Sequence, residues 1–261
     1  MKKAQIKTKK VPQGNILVDY ISRLQADLQY LIRMYKKDPY VDKKNILHQN
    51  NSGIIFDIGA HRGDTVAAYA KYFNKSIIYG FEPCPESYDK LKIRFEDNPR
   101  IRIIPKAVSN INGTTDFNVN IASATNSLLP IVDQANKWTE SASDLSLKNI
   151  VKVDVTKIDS FCNKENIKQI MILKMDIQGA ELLALQGAEK MLSKKAIILL
   201  YLELLFVPVY IGQAEYYQIC GLLSKFGYKL FSFYNSAFDL SGQIKWCDGL
   251  FVSHDLMART Q

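Results

Sequence analysis

From residue 53 onward, short apolar runs alternate with helical stripes. The runs at 53–58, 76–82, 101–105, 170–175, 196–204, 227–233 and 248–253 read as strands, while 64–73, 85–97, 179–192 and 213–226 carry apolar residues at helical spacing. This alternation predicts an α/β fold, a mostly parallel seven-stranded sheet with helices on both faces. It breaks between 106 and 160, where 114–120 and 151–155 read as extra strands around a polar stretch holding Asn126, Ser127 and Trp138. An insertion beside the crevice of such a fold is where substrate choice usually resides. Ahead of the alternating region, Ile16, Tyr20, Leu24, Leu28, Leu31, Ile32 and Tyr35 form a helical stripe stopped by Asp38-Pro39. The chain therefore divides into an N-terminal tail and helical extension, 1–49, and a main domain, 50–261. The default role of the extension is a structural cap; covering a cofactor or docking a partner are the alternatives, and an exposed helix is compatible with a homodimer.

At 261 residues, 47% of them hydrophobic, the chain can bury one full core. The net charge of +8 is scattered apart from Lys2, Lys3, Lys7, Lys9 and Lys10, which read as a solvated end. No aromatic residues interleave with the basic ones as base stacking requires, so no nucleic-acid partner is expected. Cys84, Cys162, Cys220 and Cys247 show neither Cys-x-x-Cys nor metal-ligand spacing and read as reduced thiols. The start lacks an apolar stretch before a cleavage site. The most apolar segment, 196–212, is interrupted by Glu203 and Pro208 and falls short of the ~20 residues needed to span a bilayer. A soluble, cytoplasmic protein without a transmembrane segment is expected.

The first strand brings the chemistry. Ile54-Ile55-Phe56 leads into Asp57, Gly59 and Gly63 flank a tight turn, and a helical pattern opens at Asp64-Thr65. Strand, glycine turn and helix N-terminus form the nucleotide-cofactor corner of a doubly wound sheet. The spacing is Asp-x-Gly-x-x-x-Gly rather than Gly-x-Gly-x-x-Gly. A dinucleotide would lay its pyrophosphate on the helix N-terminus, where a strand-end carboxylate repels it. S-adenosylmethionine has no phosphate and carries an ammonium and a sulfonium, so it suits Asp57 better. The next strand ends in Glu82, 23 residues after Gly59 and close to the ~20-residue offset of an acid that grips a ribose. A carboxylate can accept from both ribose hydroxyls.

A second constellation runs from Ile170 to Gly187. A buried strand ends in Lys174 and Asp176, and a helix starts near Gly179 with Glu181 in its first turn. Ligands bind outside the carboxyl ends of such strands, which places Asp176 beside the strand of Asp57. Glu181 suits either a ligand or the helix dipole. Glu203 lies in an otherwise apolar strand, where an unpartnered charge is costly, and a strand-end functional role is the favoured reading.

Together these stretches resemble the FkbM family of S-adenosylmethionine-dependent methyltransferases. The matching pieces are Asp57-Ile-Gly-Ala-His-Arg-Gly63, Phe81-Glu82-Pro83 with Tyr88 and Leu91, Ala107-Val108-Ser109 with Gly113, and Asn126-Ser127-Leu128. Val153-Asp154-Val155-Thr156 with Ile158-Asp159, Leu173 through Glu181, Leu185-Gln-Gly187 and the strand of Glu203 complete the set. His61 replaces a small polar residue, commonly Asn, and Gln178 occupies a position that is often Glu. The resemblance spans roughly residues 50–253 and implies a Rossmann-like class I methyltransferase fold that moves a methyl group to a hydroxyl of a sugar, glycan precursor or secondary metabolite. It implies that Asp57, Gly59, Ala60 and Gly63 hold the methionine end of the cofactor and Glu82 the ribose. Ala107 and Val108 would lie near the adenine, with His61, Asp64, Thr65, Pro83 and Asp176 completing the cofactor set. Asp176 and Glu203 would orient or deprotonate the acceptor, with Lys174 as an ion-pair partner. Asn126, Ser127, Gln178 and Glu181 would meet the substrate. Asp176, Glu181 and Glu203 offer hard oxygen ligands, but strand-end carboxylates also serve without metal, and none is expected.

Three competing functions remain. A nicotinamide-dependent oxidoreductase needs a phosphate-friendly turn. A base N-methyltransferase commonly has Asn/Asp-Pro-Pro-aromatic where this chain has Asp176-Ile-Gln-Gly. A non-catalytic binding protein is compatible with the fold but does not account for acids at 57, 82, 176 and 203.

Overall fold

Ile55 and Phe56 are fully buried in separate apolar clusters, as expected of a strand covered by helices on both faces. The structure, a computed structural model, describes residues 37–138 and 145–253, together with Gln25 and Leu256. Apart from Gln25, the helical stripe over 16–35 lies outside the described residues. The sheet and every site residue belong to a compact unit, Pro39–Gln261.

The strands are β1 (Ile54–Ile58), β2 (Ile77–Phe81), β3 (Ile101–Ile104), β4 (Ala107–Val108), β5 (Gly113–Asn120), β6 (Leu147–Thr156), β7 (Ile170–Met175), β8 (Ile197–Leu205), β9 (Tyr228–Phe238) and β10 (Ile244–Ser253). The helices are α1 (Pro39–Ile46), α2 (Asp64–Tyr72), α3 (Pro85–Arg94), α4 (Ile158–Lys164), α5 (Glu181–Gln186), α6 (Glu189–Ser193) and α7 (Tyr216–Lys225). The large sheet runs β3-β2-β1-β7-β8-β10-β9. Neighbours from β3 through β8 are parallel, and β10 is antiparallel to both β8 and β9. This is the Rossmann-like class I methyltransferase arrangement that the resemblance implied. Its strand order reverses between β1 and β7, which opens the ligand crevice at their carboxyl ends. The insertion folds as a separate small sheet, β4-β6-β5.

Three elements differ from the sequence expectation. Pro39, expected to stop a helix, starts α1, because its fixed φ and missing N–H suit the first helical position. The short α4 begins where the alternation had broken down. The helix expected over 179–192 is two helices. Asp159, on α4, accepts the Lys190 and Met191 amides at 2.8 and 3.0 Å and caps α6. At the break, Gly187 lets Ser109 approach so closely that a Cβ would lie 2.1 Å from its carbonyl oxygen. No helix of the described residues is long and apolar enough to cross a membrane.

Candidate active site

The register of the sheet separates the predicted acids into two kinds. β1 continues through Ile58, so Asp57 stays inside the ladder, opposite Gly80 on one side and Lys174 on the other. Glu82 and Asp176 are the first residues beyond β2 and β7, where the crevice opens. Asp57 is therefore fully buried and does not line the cleft, contrary to the expectation that it holds the methionine end of the cofactor. It pairs with Lys174 at 2.9 Å, and Lys174 Nζ also donates to the Gly59 carbonyl at 3.1 Å. Burial raises the Asp57 carboxyl above its ordinary range while Lys174 pulls it back. Burial alone would depress Lys174, but Asp57 and Asp176 together hold its ammonium above the usual range. The pair braces the turn at Gly59. That residue has φ +80°, and a Cβ there would lie 1.9 Å from the Asp176 carbonyl oxygen, so only glycine lets the ends of β1 and β7 meet.

Around this turn lies a cleft of about 110 Å³. Gly59, His61, Glu82, Pro83, Ala107, Val108, Asn126, Asp176 and Gln178 all line it. Glu82 accepts the His61 amide on one oxygen at 2.8 Å and the Cys84 amide on the other at 2.9 Å. Burial lifts its carboxyl and these two amides lower it. The imidazole of His61 stands 2.8 Å from the Ser123 hydroxyl, and burial, then Arg62, pushes its pKa down. Phe117 and Leu128, from the insertion, add apolar wall beside Ala107 and Val108. The sequence reading named neither as a site residue, although Leu128 lay in a matching piece and the inward period-two positions of β5 pointed to Phe117.

Other predicted residues do not face this cleft. Ala60 is buried, its amide bound to the Phe81 carbonyl at 3.0 Å. Gly63, at φ +82°, packs against Leu91 and Phe95. Asp64 lies at the surface, paired with Arg94 at 2.8 Å, and Thr65 lines a neighbouring cavity. Ser127 is buried and ties the insertion to the β7 turn by donating to the Gln178 carbonyl at 2.7 Å. Glu181 is buried as well and accepts the Ile177 amide at 2.8 Å. Ala60, Gly63, Asp64, Ser127 and Glu181 serve the local frame, because their hydrogen bonds or contacts are already spent there.

The β7 turn organises the remaining acids. Gln178, at φ +58°, donates through Nε2 to Asp176 Oδ1 at 2.8 Å and to Glu203 Oε2 at 3.0 Å. Its own oxygen accepts the Tyr210 hydroxyl at 2.7 Å. A glutamine here joins two carboxyls that a glutamate would repel. Glu203 also faces Asp248 across the β8–β10 ladder, and like charges in that position are unfavourable. Burial, then Asp176 and Glu181, raises Glu203 well above the carboxylate range. Lys174, expected to pair with one of the two catalytic candidates, stands 4.0 Å from Asp176. Among the described residues no three acidic, histidine or cysteine side chains are arranged to hold a metal ion.

Burial also raises Glu181, to about 7. Between its ordinary pKa and about 7 the folded state then binds more protons than the unfolded state, so stability falls as pH rises through this window. Glu181→Gln, which keeps an oxygen for the Ile177 amide, is expected to flatten that slope in melts recorded from pH 4.5 to 7.5. An unchanged slope would mean that Glu181 is not its source.

The profile of the FkbM methyltransferase domain matches residues 57–230. The 2-O-methyltransferase NoeI of Sinorhizobium fredii is 25% identical over 185 residues, which cover 66% of this chain and 72% of that protein. Among solved structures, a TehB-like SAM-dependent methyltransferase from Corynebacterium glutamicum covers 90% of this chain and 99% of its own, at 11% identity and a TM-score of 0.39. The magnesium protoporphyrin IX methyltransferase of Synechocystis PCC 6803, solved with bound SAM, covers 95% and 100% at 10% identity and a TM-score of 0.44.

Proposed function

This chain belongs to the FkbM methyltransferase family, and on that premise we propose that it is an S-adenosylmethionine-dependent O-methyltransferase acting on a hydroxyl of a sugar, glycan precursor or secondary metabolite. One observation carries the cofactor: a single cleft joins the Glu82 carboxylate, an apolar wall at Ala107, Val108 and Phe117, and the Asp176 carboxylate. These residues fit the group. Each Glu82 oxygen retains a second acceptor position for a ribose hydroxyl, and the apolar wall suits an adenine. The acid beside the glycine turn that would repel a pyrophosphate is Asp176, not the buried Asp57. Oxygen as the acceptor atom is supported by the likeness to a 2-O-methyltransferase.

When bound, the cofactor supplies a methyl carbon on a sulfonium, which departs as a neutral thioether as an acceptor oxygen attacks. The chain must then align that oxygen and take up its proton. Asp176 lines both the cleft and the adjoining cavity and is the carboxylate to receive the proton. Glu203, held by the Gln178 amide on the wall of that cavity, is placed to orient the acceptor.

Calorimetric titration with S-adenosylhomocysteine is expected to give micromolar binding, and NADH none. Glu82→Gln should weaken S-adenosylhomocysteine by about 10- to 100-fold, the scale of lost hydrogen bonds to a charged group. Binding of NADH alone would overturn the proposal.

A further inference from the structure

Beside the cleft, a second cavity of about 340 Å³ opens between α1 and the strands β7 to β10. Its wall includes Tyr40, Asp176, Tyr201, Asn235, Trp246 and Asp248. Asp176 also lines the cleft, so a molecule seated in the second cavity presents its atoms to the first across this carboxylate.

The cavity is built rather than incidental. Asp248 Oδ2 accepts the Tyr201 hydroxyl at 2.9 Å and the Asn235 amide at 2.7 Å, which fixes the carboxylate while Oδ1 takes no partner among the described residues. The β9–β10 register shifts between Trp246 and Asp248, and Asn235 adopts φ +49°. That irregularity brings Asn235, Trp246 and Asp248 to one wall. Bulges beside sites commonly re-aim side chains in this way. Trp246 remains 37% exposed although it lines a cavity. The opposite wall is pinned: Lys43 of α1 is 1% exposed, with its ammonium 3.4 Å from the centre of the Tyr201 ring. Asp42 accepts the Tyr234 hydroxyl at 2.7 Å. Tyr40, Asn235, Trp246 and Asp248 all fall outside residues 57–230, the stretch that the family profile matches.

We propose that this cavity is the acceptor's seat and that it takes a pyranose ring, stacked by its C–H face on Trp246, with one ring hydroxyl donating to Asp248 Oδ1 and another directed to Asp176. The assignment rests on the methyl-transfer reading and deepens it. An aromatic face beside fixed hydroxyl acceptors matches a ring that is apolar on its face and polar on its rim. The residues that choose the acceptor are then contributed by α1, β9 and β10, apart from the cofactor machinery.

The chain has two tryptophans, so Trp138→Phe leaves Trp246 as its sole indole fluorophore. With S-adenosylhomocysteine present, this variant is titrated with a panel of methyl hexopyranosides. At least one glycoside should quench Trp246 saturably at millimolar concentration. Asp248→Ala should weaken that binding at least tenfold while calorimetric affinity for S-adenosylhomocysteine stays within twofold. Asn235→Ala, which removes one of the two donors holding Asp248, should weaken it severalfold and covers the case in which Asp248→Ala fails to fold. No quenching by any glycoside, or quenching indifferent to both substitutions, overturns the proposal. Quenching without any binding of S-adenosylhomocysteine would instead overturn the methyl-transfer reading and leave the sugar seat standing.

Discussion

Lys174→Met is expected to lower the melting temperature by about 10 °C. Asp57 is fully buried and Lys174 nearly so; removing one partner of such a pair leaves an uncompensated charge, at a cost of about 3–5 kcal/mol. For a domain of this size each kcal/mol corresponds to about 2–4 °C. The sign of the pH dependence follows from the same pair. Burial already raises Asp57 against the pull of Lys174; without that pull its folded pKa climbs further above the unfolded value. Stability in the variant is then lost as pH rises through that higher pKa, so its deficit should be larger at pH 8 than at pH 5. Asp57→Asn in the same chain removes the stranded charge and should restore much of the loss. Melts of the single and double variants at both pH values check this. Equal melting of Lys174→Met and the parent would mean that the pair does not hold the β1 turn. Cofactor affinity should also fall in the single variant, because Lys174 anchors the Gly59 carbonyl.

The core strands were legible because helices cover both sheet faces, so β1, β7 and β8 appear as nearly unbroken apolar runs. Strand-end position likewise made Gly59, Glu82 and Asp176 readable as crevice residues. Asp57 was misplaced because one further ladder residue, Ile58, decides whether an acid faces solvent or core, and sequence boundaries are not that sharp. Ser127 and Glu181 looked like substrate contacts because polarity in a turn does not reveal whether its hydrogen bonds are spent locally. The second cavity was invisible for a different reason. Tyr40, Asn235 and Asp248 are far apart in the chain and meet only through the docking of α1 and a register shift between β9 and β10, neither of which has a periodic signature.

Asp176→Asn is expected to reduce turnover by about 10²- to 10⁴-fold, the usual contribution of a positioned proton acceptor, while affinity for S-adenosylhomocysteine stays within a few-fold. The substitution preserves shape and keeps an oxygen for Gln178 Nε2, which now donates to Oδ1 at 2.8 Å. Glu203, bound to the same amide, is not an equivalent base. Burial and its acidic neighbours push its carboxyl well above the ordinary range and disfavour its charged form. Asp176 differs by exposure: its side chain is 43% accessible and lies 4.0 Å from the Lys174 ammonium. Once an acceptor is in hand, initial rates and single-turnover kinetics separate the alternatives. A fall in kcat with little change in cofactor affinity assigns Asp176 to the chemical step. A rise in KM alone would make it a residue that only holds the acceptor. Unchanged turnover would remove it from the mechanism and leave Asp248, on the wall of the second cavity, as the group to substitute next.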